Sequence, residues 1–318
     1  MTKKTPWLVC LLSVSAFGSM SAFAAGGPGE KVIYGEDDRL DLYQVTNSRD
    51  VQLADSTVAL MEATNLTKNG EKFDIAAEVF GREFGLCEKE PFYNQPSGAF
   101  CSGSLVAPDI IITAGHCIKN AGDCASTKFV FNYAVTKEGV YPTSAPADAV
   151  VGCKEIIARK QEGAGADFAV IRLDRKITNH KPLAINRAND LKAGDHVGVI
   201  GHPSGLPVKV SFGEDTVVRT VDKPGFFMAN LDTYGGNSGS AVFNTKTGLV
   251  EGILVRGEND FVYDNGCRIS NVCKADECRG EDVTKISELM AMIPASDGRD
   301  PPKNRAGSKW PSTHVGHH

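Results

Sequence analysis

This 318-residue chain has no basic stripe, no paired CxxC spacing and, beyond its first two dozen residues, no long apolar run. Each absence removes a class of protein. A net charge of −5 without clustered lysine and arginine argues against a nucleic-acid surface. Spanning a bilayer takes a helix of about 20 apolar residues, and no segment after the N-terminal one supplies it. Without CxxC pairs the cysteines read as disulfide partners rather than zinc ligands, and neither metal nor cofactor is expected. Internal repeats are missing too. What remains is the composition of an ordinary globular protein, long enough for one large all-β domain or two smaller ones.

The exceptional apolar run comes first. Lys3 and Lys4 precede a largely apolar stretch, 6–20, which ends at Ala22-Phe23-Ala24. Small residues at the −3 and −1 positions make residues 1–24 a cleaved secretory signal rather than an anchor. An exported chain meets an oxidising compartment. Cys10 leaves with the signal, and the other eight, Cys87, Cys101, Cys117, Cys124, Cys153, Cys267, Cys273 and Cys278, make an even set for bridging. Cys124 with Cys153, and a bridge within Cys267, Cys273 and Cys278, are expected pairings.

From about residue 73 to 261 short β-branched or aliphatic runs alternate with Gly, Pro, Asn and Asp. They include 105–106, 110–113, 129–131, 168–173, 196–200, 208–210, 216–218, 241–243 and 249–255, with a hairpin loop at 244–248. Such spacing predicts a β-barrel or sandwich. Two stretches read as helices. In residues 54–65 the apolar Val58, Ala59, Met61 and Ala63 follow Asp55-Ser56, a candidate N-cap. In 283–293 the residues Ile286, Leu289, Met290 and Ile293 recur at i, i+3, i+4 and i+7. Residues 294–318, rich in Pro, Gly, Ser and charge, read as a disordered tail.

The chemistry concentrates in three places. Gly235-Gly236-Asn237-Ser238-Gly239-Ser240 is a turn that can present a hydroxyl beside several N–H donors. A serine hydroxyl needs a histidine base, and the histidine needs an acid to fix its tautomer. Of the seven histidines, His314, His317 and His318 lie in the tail. His180 and His196 stand in polar contexts, and His202 precedes a proline in a turn. His116 differs: it follows the run Ile110–Thr113 directly, in Thr113-Ala114-Gly115-His116-Cys117, at the end of a strand. Asp167 opens an otherwise apolar run, where a carboxylate is costly unless paired. Asp174, at the other end of that run, is the weaker alternative.

These three motifs, in the chain order His, Asp, Ser, resemble the trypsin/chymotrypsin superfamily of serine peptidases. The resemblance is closest to the bacterial branch that includes the V8-type glutamyl endopeptidases, and it spans roughly residues 32–256. It implies an all-β fold of two six-stranded antiparallel β-barrels, chymotrypsin-like, to which the periodicity adds a C-terminal helix. The peptidase domain is expected over 32–293. By the same resemblance Ser238 is the nucleophile, His116 the general base and Asp167 its orienter. The N–H groups of Gly236 and Ser238 form the oxyanion hole, and Cys101–Cys117 is the bridge that holds the histidine loop.

The departures matter as well. Asn237 stands where animal trypsins carry the aspartate that pairs with a new N-terminal amine. Val32-Ile33-Tyr34-Gly35 nevertheless resembles a mature V8-type N-terminus, so cleavage after Lys31 would remove a short propeptide, 25–31. Six residues before Ser238, Asp232 falls at the floor of the pocket for the P1 side chain (the residue just before the cut bond), with Thr233 beside it. The histidine that selects glutamate would fall near Leu254, which leaves a glutamyl pocket incomplete. Arg256 is a candidate for an acidic side chain, or simply reaches solvent. The resulting expectation is a secreted or periplasmic monomeric endopeptidase acting on proteins or peptides, with a preference for basic P1 residues. A catalytically silent binding module and an esterase on the same fold stay open as alternatives.

Overall fold

The structure, a computed structural model, describes residues 32–295. The expected signal, the expected propeptide and all but the first two residues of the expected tail lie outside that range. In chain order the strands that build the core begin with β1 (Ile33–Tyr34), β2 (Arg39–Asp41) and β3 (Thr57–Glu62). Next come β4 (Cys101–Ala107), β5 (Ile110–Thr113), β6 (Thr127–Val130), β7 (Val150–Gln161) and β8 (Asp167–Leu173). Then follow β9 (Val197–Gly201), β10 (Lys209–Ser211), β11 (Val218–Thr220) and β12 (Phe226–Ala229). The last are β13 (Ala241–Asn244), β14 (Val250–Arg256) and β15 (Glu281–Lys285).

Six strands close into the first barrel, in the order β6-β7-β8-β5-β4-β3 with β3 back against β6. Its interior is aliphatic and aromatic: Leu60, Ile112, Phe129, Val151 and Ile171 are fully buried. The second sheet has eight strands, ordered β11-β12-β15-β14-β13-β9-β10-β2. Its six-stranded part is drawn round by a single bridge, His196 to Val217, supported by Val197 N–H to Thr216 C=O at 3.1 Å. Strands β10 and β2 extend beyond that closure. Two curled antiparallel sheets, one closed and one pinched shut, are the architecture the sequence implied.

Both predicted helices are corrected. The segment 54–65 holds the end of a short helix, α1 (Ser48–Ala54), and then β3. The true cap is Asn47, whose side chain accepts from Arg49 N–H. Strand β3 imitated a helix because both of its faces are covered. Val58 and Leu60 enter the barrel core, while Ala59 and Met61 pack with Val130, Tyr133 and Val150 outside it. A strand buried on both sides loses its alternation of apolar and polar residues. At 283–293, Val283 and Thr284 belong to β15, held between β12 and β14. Two short 3₁₀ turns follow, Ile286–Glu288 and Met290–Met292. Ile286, Leu289 and Ile293 are buried as their spacing demanded, but by tight turns instead of an α-helix. Among the described residues, no helix is long and apolar enough to cross a membrane.

Four disulfides staple the strands: Cys87–Cys267, Cys101–Cys117, Cys124–Cys153 and Cys273–Cys278. The last three include every pairing expected from the sequence. Cys267 leaves its neighbours for Cys87, 180 residues away.

Candidate active site

The register of the first barrel delivers Asp167 to His116. β8 pairs with β5 so that Ala169 faces Thr113. Two residues earlier on β8, Asp167 therefore arrives level with Gly115, just past the end of β5. A Cβ on Gly115 would sit 2.7 Å from Phe168 O and 2.9 Å from Asp167 Oδ1, so only glycine admits this approach. One residue on, Asp167 grips His116 twice. Oδ2 lies 2.8 Å from His116 Nδ1, and Oδ1 accepts the His116 backbone N–H at 3.0 Å. Asp167 is 2% exposed, and its partners answer the cost of burying it. The other end of β8 carries Asp174, whose carboxylate accepts Gly152 N–H at 3.0 Å and takes no part.

The turn 235–240 is seated on β4 and β5. Ser102 of β4 donates its N–H to Ser238 C=O at 2.9 Å, and Thr113 Oγ1 of β5 donates to Ser102 C=O at 2.6 Å. Ser102 Oγ accepts His202 N–H and donates to Gly236 C=O, both at 2.9 Å. Gly239 has φ +93°, and a Cβ there would overlap Ser102 O and come within 3.0 Å of Ala114 N. The turn thus lies against the segment that ends in His116. The Cys101–Cys117 bridge ties that segment to the start of β4. Asn237 makes no acidic contact: its N–H donates to Tyr234 C=O and its Oδ1 accepts Ser240 Oγ–H, both at 3.1 Å.

Sequence reasoning could not see Thr284. This β15 hydroxyl accepts Asp167 N–H and donates to Asp167 C=O, both at 2.9 Å, so the second barrel holds Asp167 of the first. Nothing in a stretch of chain 117 residues away signals it.

Among the described residues, the rings of His180 and His202 are engaged elsewhere. His180 stacks on Phe131 at 4.4 Å beside Asp55, and His202 is buried with its pKa lowered to about 3 by burial. Among the described residues the one grouping with metal-like donors is Cys101, His116 and Cys117. Its sulfurs are joined in a disulfide, so it does not suit an ion.

The expected substrate residues need correction. Asp232 is buried, and both its oxygens serve the N-terminal segment: Tyr34 N–H donates to Oδ1 at 2.7 Å and Asp38 N–H to Oδ2 at 2.9 Å. Burial still pushes its pKa up to about 7. It is a clamp, not an open pocket floor. Thr233 is fully buried and gives its N–H to Val32 C=O. Leu254 acts through its backbone, accepting Gly239 N–H at 2.8 Å and donating to Ser240 C=O at 3.0 Å. Arg256 neither reaches solvent nor awaits an acid. Its guanidinium is held by Asp282 at 3.0 Å and Gly165 C=O at 2.7 Å.

The family model of the trypsin-like peptidase domain matches residues 101–253, the span that holds all three motifs. Over that span the chain is similar to the trypsin-like peptidases. It is 28% identical to exfoliative toxin A of Staphylococcus aureus over 197 residues, 56% of this chain and 66% of the toxin. It is 30% identical to a probable periplasmic serine endoprotease, DegP-like, of Buchnera aphidicola subsp. Baizongia pistaciae over 107 residues, 31% of this chain and 22% of that one. The chain thus spans less than two thirds of the length of these relatives. Among solved structures it is similar to a Glu endopeptidase in complex with MPD, with a TM-score of 0.45 and 19% identity, covering 82% of this chain and 98% of that one.

Proposed function

We propose that this chain is an exported serine endopeptidase that cleaves peptide bonds through an acyl-enzyme on Ser238. The observation that carries the reading is the double grip of Asp167 on His116. With Nδ1–H directed at the carboxylate, Nε2 carries the lone pair and can take the Ser238 proton as Oγ attacks the substrate carbonyl. The N–H groups of Gly236 and Ser238 serve the resulting oxyanion. The imidazolium then protonates the leaving amine, and water repeats the sequence to free the acid. Four disulfides support an oxidising compartment, in keeping with the leader at 1–24. The embedded segment after Val32, with Val32 C=O and Tyr34 N–H both bonded into 232–233, supports maturation at Lys31–Val32. Active enzyme beginning at Ala25 or Gly26 would contradict that last point.

Labelling with a fluorophosphonate tests the central reading. The mature protein is expected to label and to cut a denatured proteome, and Ser238→Ala to do neither, losing about 10⁶-fold in kcat. A folded protein that stays unlabelled where a control peptidase reacts is a binding module instead.

A further inference from the structure

His202 touches the turn 235–240 with its backbone and a separate cleft with its ring. The backbone N–H goes to Ser102 Oγ, which donates to Gly236 C=O, both at 2.9 Å. The cleft, of about 120 Å³, lies between α1, the start of β3 and the segment 132–136. Its walls are largely apolar, made by Leu42, Val51, Ala134 and Val208. Thr57 and His202 also line it and are 3% and 1% exposed. Thr57 opens β3 on the face it shares with Ala59 and Met61, outside the barrel core. His202 follows β9 directly, in the turn that leads to β10. His116, Asp167 and Ser238 take no part in the lining.

The partner of Nδ1 decides what the ring offers the cleft. Nδ1 lies 3.0 Å from Leu206 C=O. A carbonyl only accepts, so Nδ1 carries the proton and Nε2 keeps a lone pair. Burial, which lowers the pKa to about 3, keeps the ring neutral. Among the described residues Nε2 has no hydrogen-bond partner, and neither has Thr57 Oγ1. Buried polar atoms are nearly always satisfied, and these two line the same cleft. Tyr133 and Asp55, which line it too, are engaged. The Tyr133 hydroxyl donates to Pro96 C=O at 3.0 Å, and the half-exposed Asp55 carboxylate lies 3.0 Å from His180 Nδ1. Lys209 disfavours positive charge at His202, and it acts against a cationic ligand in the same way. Asn132 and Thr136 are exposed, which puts the mouth of the cleft on their side.

We propose that this cleft binds a small neutral molecule that carries a hydroxyl group on an apolar body. The hydroxyl donates to His202 Nε2 and accepts from Thr57 Oγ1, while the body lies against Leu42, Val51, Ala134 and Val208. Size narrows the class. An engineered apolar cavity of about 150 Å³ admits benzene, so a cleft of this volume with an open mouth takes one six-membered ring. Phenol is the simplest molecule of that description.

Phenol and fluorobenzene, which has nearly the same shape but no donor, provide the test. A purely apolar cleft prefers fluorobenzene, because phenol would leave its hydroxyl unpaired there. The proposed site prefers phenol by about fivefold. NMR titration of the folded protein, with ¹⁵N in the histidine rings, gives both affinities. Phenol is expected to bind one to one and to move the His202 Nε2 resonance upfield; fluorobenzene is not expected to move it. His202→Phe is expected to lose the preference for phenol, and Ala134→Phe, which fills the cleft, to bind neither ring. Thr57→Val, a change of nearly constant volume, is expected to weaken phenol about threefold and to leave fluorobenzene unchanged; it carries the comparison where His202→Phe does not fold. Fluorobenzene that binds as tightly as phenol, or phenol that binds Ala134→Phe unchanged, overturns the proposal. An Nε2 resonance already upfield without ligand and unmoved by phenol marks a site for water only and overturns it too.

Discussion

At Gly239 a single missing methyl group decides whether the turn that carries Ser238 can rest on β4. Its φ of +93° and its closeness to Ser102 O leave no room for a side chain. Gly239→Ala is expected to lower kcat by about 10²-fold, the scale on which small misplacements of reacting groups act, and to cost about 1–3 kcal/mol of stability. Kinetics and urea unfolding check both. Asp167→Asn should leave the fold intact and reduce kcat by about 10⁴-fold, because the amide cannot hold the same histidine tautomer. Residues of this kind were legible from sequence where the partner is local or the motif is dense, as at His116 and Ser238. Asp232 was found by counting but misread, since its two donors lie 198 and 194 residues upstream. Thr284 carried no local mark at all. Its contact with Asp167 exists only once β15 is laid between its neighbours.

Strands explain which parts of the fold the chain announces. β5 and β8 are short β-branched or apolar runs bounded by turns, and they declared themselves. β7 did not, because most of its twelve residues are half-exposed or exposed and its pairing with β8 shifts register twice. β3 was taken for a helix because two cores share its faces. Strand pairing also forces an unusual contact in the second sheet. Lys209 of β10 faces Asp41 of β2, fully enclosed, with Nζ 2.8 Å from the carboxylate and 2.8 Å from Gln95 Oε1. Burial lowers the lysine pKa to about 8, even with Asp41 opposing that shift. Lys209→Met is expected to cost about 3–5 kcal/mol by stranding the carboxylate, and Lys209→Met with Asp41→Leu to recover most of it. Urea denaturation of the three proteins measures this.

Over the whole molecule, two buried groups pull the pH dependence of stability in opposite directions. Asp232 holds its proton to about pH 7 in the folded chain, whereas an unfolded aspartate releases it near 4. Its contribution is therefore complete at low pH and is lost as pH rises from about 4 to 7. His202, buried with Nδ1 3.0 Å from Leu206 C=O, resists protonation down to about pH 3, against about 6.5 unfolded. Its contribution is present above about 6.5 and is lost as pH falls toward 3. Between about pH 4 and 6.5 the two nearly cancel. Relative to wild type, His202→Gln is expected to make stability fall with rising pH in that window, and Asp232→Asn to make it rise, each by about 1.4 kcal/mol per pH unit. Urea midpoints at three pH values show the two slopes. The Cys87–Cys267 bridge has a consequence of another sort. The stretch it encloses contains His116, Asp167 and Ser238. On the proposed function the chain meets its own activity, and a cut in any loop between residues 88 and 266 makes two pieces that remain one particle. Such a nicked molecule cannot scatter His116, Asp167 and Ser238 by dilution unless a reductant opens its disulfides, so self-inflicted damage would be survivable in an oxidising compartment in a way it would not be in a reducing one.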